Sequence, residues 1–388
     1  MPTLVLTALS DADTDRTAGV EAGAEVTCTL PESLSQRLAL VFTTPGRDAG
    51  AVLGGVFSEL PPMPVVGGTA TLVFTGEHAS ERGVGLMVIA SNQARFTAAH
   101  ACGFAGHETR ALGEISAQLR RQRGGAVQSY LHRTLLVFAD STPAGGQALV
   151  DRIGVEEGLR LNLAGITSPP LAVGSGRILA GRESLYDALA VAEILTDHPL
   201  GIGVAQGWEL GEEVYRVTRS ERSHVLELDG HPAAASWGCE TGSAEAPSAG
   251  EAWSRGLAVL LPNGETRIHA WVRPQTDGSL ECDVAIPAGS TVRFAERSAQ
   301  RLAAGTGRAV EEAIMLSGAT AGVAGLLVFE CGASASDVRP AVDPFYPALG
   351  REALPLLGIQ VPGAIARRER ELCGFHGAAQ VVCAFPGK

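Results

Sequence analysis

The sequence predicts an α+β protein of layered β-sheets flanked by helices. Three observations carry this: a strand–helix–strand plan that recurs three times, a run of alternating strands between the second and third copies, and helix-spaced apolar residues on either side of that run. The first copy pairs the apolar run at 38–42, Leu-Ala-Leu-Val-Phe, with a helical pattern over 49–60 and a glycine-ended strand at 64–68. The second runs from Leu-Leu-Val-Phe at 135–138 through a helix over 147–153 to Leu-Asn-Leu-Ala-Gly at 161–165. The third runs from Gly-Leu-Leu-Val-Phe at 325–329 through a helix over 346–357 to Ile-Gln-Val-Pro-Gly at 359–363. The first two copies continue into strands at 83–90 and 95–101, and at 188–195 and 201–206. Turn residues at Ser91-Asn92-Gln93 and Asp197-His198-Pro199 make each pair read as a hairpin. Residues 373–385 read as one closing strand.

Between the copies, 224–228 is a strand that turns at Asp229-Gly230 into a short helix, and the Ser, Ala, Gly and Glu of 243–251 form a loop near a domain boundary. Segments 257–261, 266–272 and 280–286 alternate apolar and polar residues around Asn263-Gly264 and Asp277-Gly278, the pattern of an antiparallel meander. Val310, Ala313, Ile314 and Ser317 keep helical spacing. The division expected is one part over 1–234, with two copies, and one over 235–388, with the meander and the third copy.

Composition removes whole classes of function. A formal net charge of -12 argues against a nucleic-acid partner, and the basic knots at 120–123 and 367–370 read as solvated helix faces. The sole lysine is Lys388, so no Schiff-base, pyridoxal-phosphate or P-loop lysine is on offer. Seven cysteines without a CxxC pair point to free thiols in a reducing compartment. With neither a signal-peptide pattern nor an apolar run long enough to span a bilayer, the expected location is the cytoplasm, with no membrane partner.

The run Gly-Ile-Gly-Val-Ala-Gln-Gly-Trp-Glu-Leu-Gly at 201–211, then Val217-Thr218, then Glu-Leu-Asp-Gly-His-Pro-Ala at 227–233, resembles the second half of the FIST N-terminal domain. The region 295–375 is similar to the FIST C-terminal domain. The resemblance covers most of the chain from Leu38 onward and implies a sensory module for small ligands, amino acids having been proposed; some members bind haem. It implies a stand-alone binder, or one that signals through a separate protein, because the two parts use the whole length. Two departures stand out. Val66-Gly67-Gly68-Thr69-Ala70-Thr71 replaces the Gly-Cys-Ser-Thr-Ala-Gly-Glu common after the first glycine-ended strand, and Gly363-Ala364-Ile365 lacks the Gly-Glu pair expected in the third copy.

Strands that stop at glycine expose backbone N–H groups, so Gly67, Gly68, Thr69, Gly165, Thr167, Ser168 and Gly363 are expected to converge on one ligand pocket; the competing reading is that glycine permits close packing. Trp208 either stacks on a flat ligand or belongs to the core. Haem is the alternative cofactor implied by the resemblance, with His100, His198 and His376 as candidate axial ligands. His100, Cys102 and His107 lack a fourth ligand at a metal spacing, so no metal site is expected. The Gly-x-Gly strings at 83–85, 174–176 and 201–203 lack the third glycine of a dinucleotide fingerprint, and no nucleophile elbow is present.

Overall fold

The computed structural model describes residues 3–125, 129–140, 145–167, 176–241, 255–331 apart from 263, 265, 271, 283–284 and 319–321, and 354–387 apart from 372–373 and 378. Ser168, Cys373, Lys388, the 243–251 loop and most of the third-copy helix lie outside these residues.

Among the described residues the strands form three six-stranded sheets and one nine-stranded sheet. The first six-stranded sheet runs, in spatial order, Leu4–Ser10, Val84–Ser91, Gln36–Thr43, Val65–Thr69, Ile178–Ala180, Glu183–Leu185. The second runs Ala94–Cys102, Ala188–Thr196, His132–Ala139, Asn162–Thr167, Gly363–Arg367, Phe375–His376. The third runs Gly201–Gln206, Ala379–Pro386, Val323–Cys331, Leu356–Val361, Leu72–Thr75, Ala79–Ser80. All three follow one pattern, in which the third and fourth strands are parallel and every other neighbour is antiparallel. Each parallel pair needs a crossover, and the helices Ala49–Glu59 and Gly145–Glu157 supply it in the first two sheets.

The last two strands of each sheet come from another stretch of chain. Residues 178–185 leave the second stretch to complete the first sheet, 363–376 complete the second sheet, and 72–80 complete the third. The expected hairpins do not form for the same reason. Val84–Ser91 pairs with Leu4–Ser10 and Gln36–Thr43, whereas Ala94–Cys102 crosses to Ala188–Thr196 in the second sheet. Asn92 sits at the crossing, accepting from the Ser35 N–H at 2.9 Å and donating to the Ser33 carbonyl at 2.8 Å. The segment 373–385 likewise divides, its strands Phe375–His376 and Ala379–Pro386 joining different sheets.

Alternate residues of each six-stranded sheet face one common core. Leu38, Leu40 and Phe42 meet Leu136 and Phe138 and Leu327 and Phe329 there, with the Phe42 and Phe138 rings 5.8 Å apart. The opposite faces carry helices. Asp15–Thr27 and Ala49–Glu59 cover the first sheet, Glu108–Arg123 and Gly145–Glu157 the second, and Ala299–Leu316 the third. Ahead of the first copy, the chain supplies both the edge strand Leu4–Ser10 and the Asp15–Thr27 helix, whose N-cap Thr14 accepts from the Thr17 N–H at 3.2 Å.

Helix contacts depend on missing side chains. A Cβ on Gly19 would lie 2.2 Å from the Val52 carbonyl oxygen, and one on Gly55 2.2 Å from that of Arg16, so the first two helices touch backbone to backbone. Gly201 and Gly203 do the same for Ala299–Leu316, at 1.8 and 1.9 Å from the carbonyls of Ala313 and Ala309. The Gly-x-Gly string at 201–203 is thus a seat for a helix.

Two buried charges contrast. Glu193, fully buried, accepts from Arg123 and Arg133 at 2.6 Å each and ties the Glu108–Arg123 helix to its sheet. Arg367 is 1 % exposed, yet its Nε and Nη1 have no acceptor and Nη2 reaches only the Gly158 carbonyl at 3.4 Å. It ends a strand, so the expected helix face over 367–370 is corrected there. We expect Gly55→Ala and Gly203→Ala each to cost about 1–3 kcal/mol in urea unfolding, as overpacking does. Loss of one partner from a buried ion pair costs about 3–5 kcal/mol, the effect expected of Glu193→Ala. Arg367→Met should raise the melting temperature, because it removes a buried charge that lacks a full set of acceptors.

Candidate functional site

The glycine-ended strands place their residues at the carboxyl ends of the parallel pairs. Gly67 and Gly165 lie inside the ladders, where an added Cβ would stand 1.8 Å from the Val41 carbonyl and 1.9 Å from that of Val137. Both are therefore accounted for by close main-chain approach. Gly68 pairs with Ile178, and Gly363 stands directly opposite Thr167. Gly68 also lies beside Ile166, whose Cδ1 an added Cβ would meet at 3.8 Å, so the first and second sheets touch here. The interior behind these residues is occupied by side chains of the common core, among them Phe42, Phe138 and Phe329.

The chemistry gathers at the rim, where the donated strand Ile178–Ala180 enters the first sheet. Thr69 donates its N–H to the Arg177 carbonyl at 2.9 Å and accepts the Arg177 N–H on Oγ1 at 3.0 Å, which anchors the backbone of Arg177. The Arg177 guanidinium carbon lies 2.9 Å from the centroid of the Tyr186 ring, over its face. Burial lowers the Arg177 pKa from the ordinary guanidinium value, while the carboxylates of Asp48 and Asp140 oppose that shift. Asp48 is the N-cap of Ala49–Glu59, accepting from Gly50 and Ala51, and so follows the strand Gln36–Thr43. Asp140 directly follows His132–Ala139 and accepts the Asp187 N–H at 2.8 Å. Asp187 takes a left-handed backbone, φ 43°, and is held there by the Ala105 N–H on its carboxylate at 2.6 Å. Cation and aromatic face thus meet at the strand ends of the first sheet, within the electrostatic reach of two carboxylates.

Sequence reasoning missed this group. Arg177 directly follows the 174–176 Gly-x-Gly string, and in a chain whose one lysine is terminal an arginine there is the available cation. The positions that join it depend on pairing between distant segments.

Trp208 lies elsewhere. It begins the strand Trp208–Leu210 of the nine-stranded sheet and packs, 7 % exposed, with Ala258, Ile268, Ala270 and Ala295. This sheet contains the expected antiparallel segments, Arg255–Leu260, Thr266–His269, Val272–Pro274 and Leu280–Cys282. On the face away from Trp208, a pocket of about 210 Å³ opens beside Trp237 and Phe294, with Glu209, Arg255 and Glu296 at its edge.

The candidate haem ligands are scattered. His100 and His376 sit on opposite edge strands of the second sheet, and His198 is exposed in the turn after Ala188–Thr196. His100 Nε2 is 3.2 Å from a Glu183 carboxylate, and His376 Nε2 is 3.2 Å from the Ala366 carbonyl, to which it donates. Burial lowers the His376 pKa, so the ring is neutral with that nitrogen carrying its proton. On His376 that leaves Nδ1 as the nitrogen with a lone pair to offer, and the three histidines lie apart from one another. Among the described residues no cluster of three metal-binding side chains occurs, and no helix is long and apolar enough to cross a membrane.

Among the described residues six cysteines are free, with Cys28, Cys102 and Cys239 exposed and Cys282, Cys331 and Cys383 buried. Burial pushes the Cys331 thiol up to about 12 and raises that of Cys383 as well. In native protein a thiol reagent should modify Cys28, Cys102 and Cys239 first, and Cys331 and Cys383 only after denaturant is added, as peptide mapping will show.

A family model described as the FIST N domain matches residues 37–231. No curated protein matches the chain.

Proposed function

Because the chain belongs to the FIST family, a family of sensory domains, we propose that it is a sensor whose small ligand sits on the rim around Arg177. The arrangement of Arg177 over Tyr186, with the carboxylates of Asp48 and Asp140 acting on it electrostatically, carries this reading. A guanidinium plane recognises a carboxylate, the ring offers an apolar wall, and the acidic pair suits a cationic or hydrogen-bond-donating group on the same molecule. The family's proposed amino-acid ligands have this chemistry. Thr69, Thr167 and Gly363 extend the rim, and Ser168 follows Thr167 in the chain. The region 295–375 is read as the FIST C-terminal domain.

Thermal-shift screening with small carboxylates, zwitterions and amines, followed by titration calorimetry, tests the reading. Loss of a charged contact weakens binding by about 1.5–3 kcal/mol, or roughly ten- to a hundred-fold. We expect that loss for Arg177→Ala and a smaller one for Tyr186→Ala. Binding unchanged in Arg177→Ala would move the site elsewhere, and stabilisation by no compound at all would remove the sensor reading. A Soret band in purified protein that disappears with His100, His198 or His376 replaced would restore haem as the ligand.

A further inference from the structure

We infer that the family-matched N-terminal part and the C-terminal part of this chain are obligate partners, each supplying main chain and an aromatic key that complete a sheet of the other. The open edge of Asn162–Thr167 in the N-terminal part is filled by Gly363–Arg367, in register from Thr167 opposite Gly363 to Leu163 opposite Arg367. Gly201–Gln206, the edge strand of the third sheet, pairs with Ala379–Pro386 along its whole length. In return the N-terminal part sends Leu72–Thr75 to the edge of Leu356–Val361. All residues of Gly363–Arg367 and Ala379–Pro386 are buried where side chains are described, so these edges belong to the interior.

The side chains repeat the exchange. Phe74, from the N-terminal part, lies over Gly358, where an added Cβ would meet its ring at 2.0 Å. Phe375, from the C-terminal part, lies over Gly146, again with 2.0 Å to an added Cβ. Gln147, beside Gly146, accepts the N–H groups of Gly374 and Phe375 at 3.3 and 3.2 Å. Each part thus carries one ring and one glycine seat, and the seats admit no larger residue without a shift. The occupant these edges fit is the other part of the same chain, because the register, the ring and the seat all match it. Left alone, the N-terminal part would expose the edge of Asn162–Thr167 and leave Leu72–Thr75 without a sheet, a template for aggregation.

The test uses the full chain with a specific protease site inserted between residues 241 and 255, so that cutting severs the covalent link. After cutting, we expect the two pieces to co-elute at full-chain size in native buffer, to unfold in one transition by circular dichroism, and to separate only in denaturant. Pieces that part in native buffer, or that melt in two transitions, would overturn the inference. Phe74→Ala, first checked for native circular dichroism uncut, should lower the denaturant concentration at which the cut pieces separate. Hydrogen exchange on the uncut wild type gives a second readout. Amides of Gly363–Arg367 should open at the same rate as those of Asn162–Thr167, and independent, faster exchange of the former would contradict the pairing as a single unit.

Discussion

A β-strand edge is a row of main-chain donors and acceptors that has to be paired, covered or blunted. Here the parallel strands Val65–Thr69, Asn162–Thr167 and Leu356–Val361 each leave such an edge, and each edge is filled by a strand that the chain brings from another sheet. That exchange sets the rest of the architecture. It draws three sheets together tightly enough that one face of each can share a single apolar interior, which holds Phe42, Phe138 and Phe329 at once. The helices are left to the outside, where glycines at 19 and 55 let two of them touch each other and glycines at 201 and 203 let another approach the strand beneath.

The exchange also makes the candidate site. Arg177 belongs by sequence to the stretch that builds the second sheet, yet its backbone is bound to Thr69 in the first. Because it directly precedes a donated strand, its guanidinium feels both Asp48, which caps a helix on one sheet, and Asp140, which follows a strand of the other. A ligand held there would touch two sheets whose pairing is already shared.

Much of the secondary structure was legible. The run at 38–42 lies within Gln36–Thr43, the helical pattern over 49–60 matches Ala49–Glu59, and the alternating segments after 255 are antiparallel strands. These depend on side-chain periodicity over a few residues, which any short window of sequence displays. The glycines were legible as unusual positions but not as to cause. Gly67 and Gly165 answer to the carbonyls of Val41 and Val137, and Gly201 to a helix more than a hundred residues later. The hairpins failed at Ser91-Asn92-Gln93 and Asp197-His198-Pro199 because a turn sequence specifies a change of direction, not the strand that will lie alongside afterwards.

By itself the amino-acid sequence determined the class of the protein, many of its longer strands and several of its helices, its FIST affinity and the absence of an internal lysine. Only the tertiary structure decided which strands are neighbours, that Gly363 faces Thr167 and Leu72 faces Gln360, and that Arg177 is anchored to Thr69 and lies over Tyr186. The reason is physical. Periodicity and capping are energies between residues a few positions apart, whereas an edge strand accepts any extended backbone, and its partner is selected by what else must be buried when the whole chain closes.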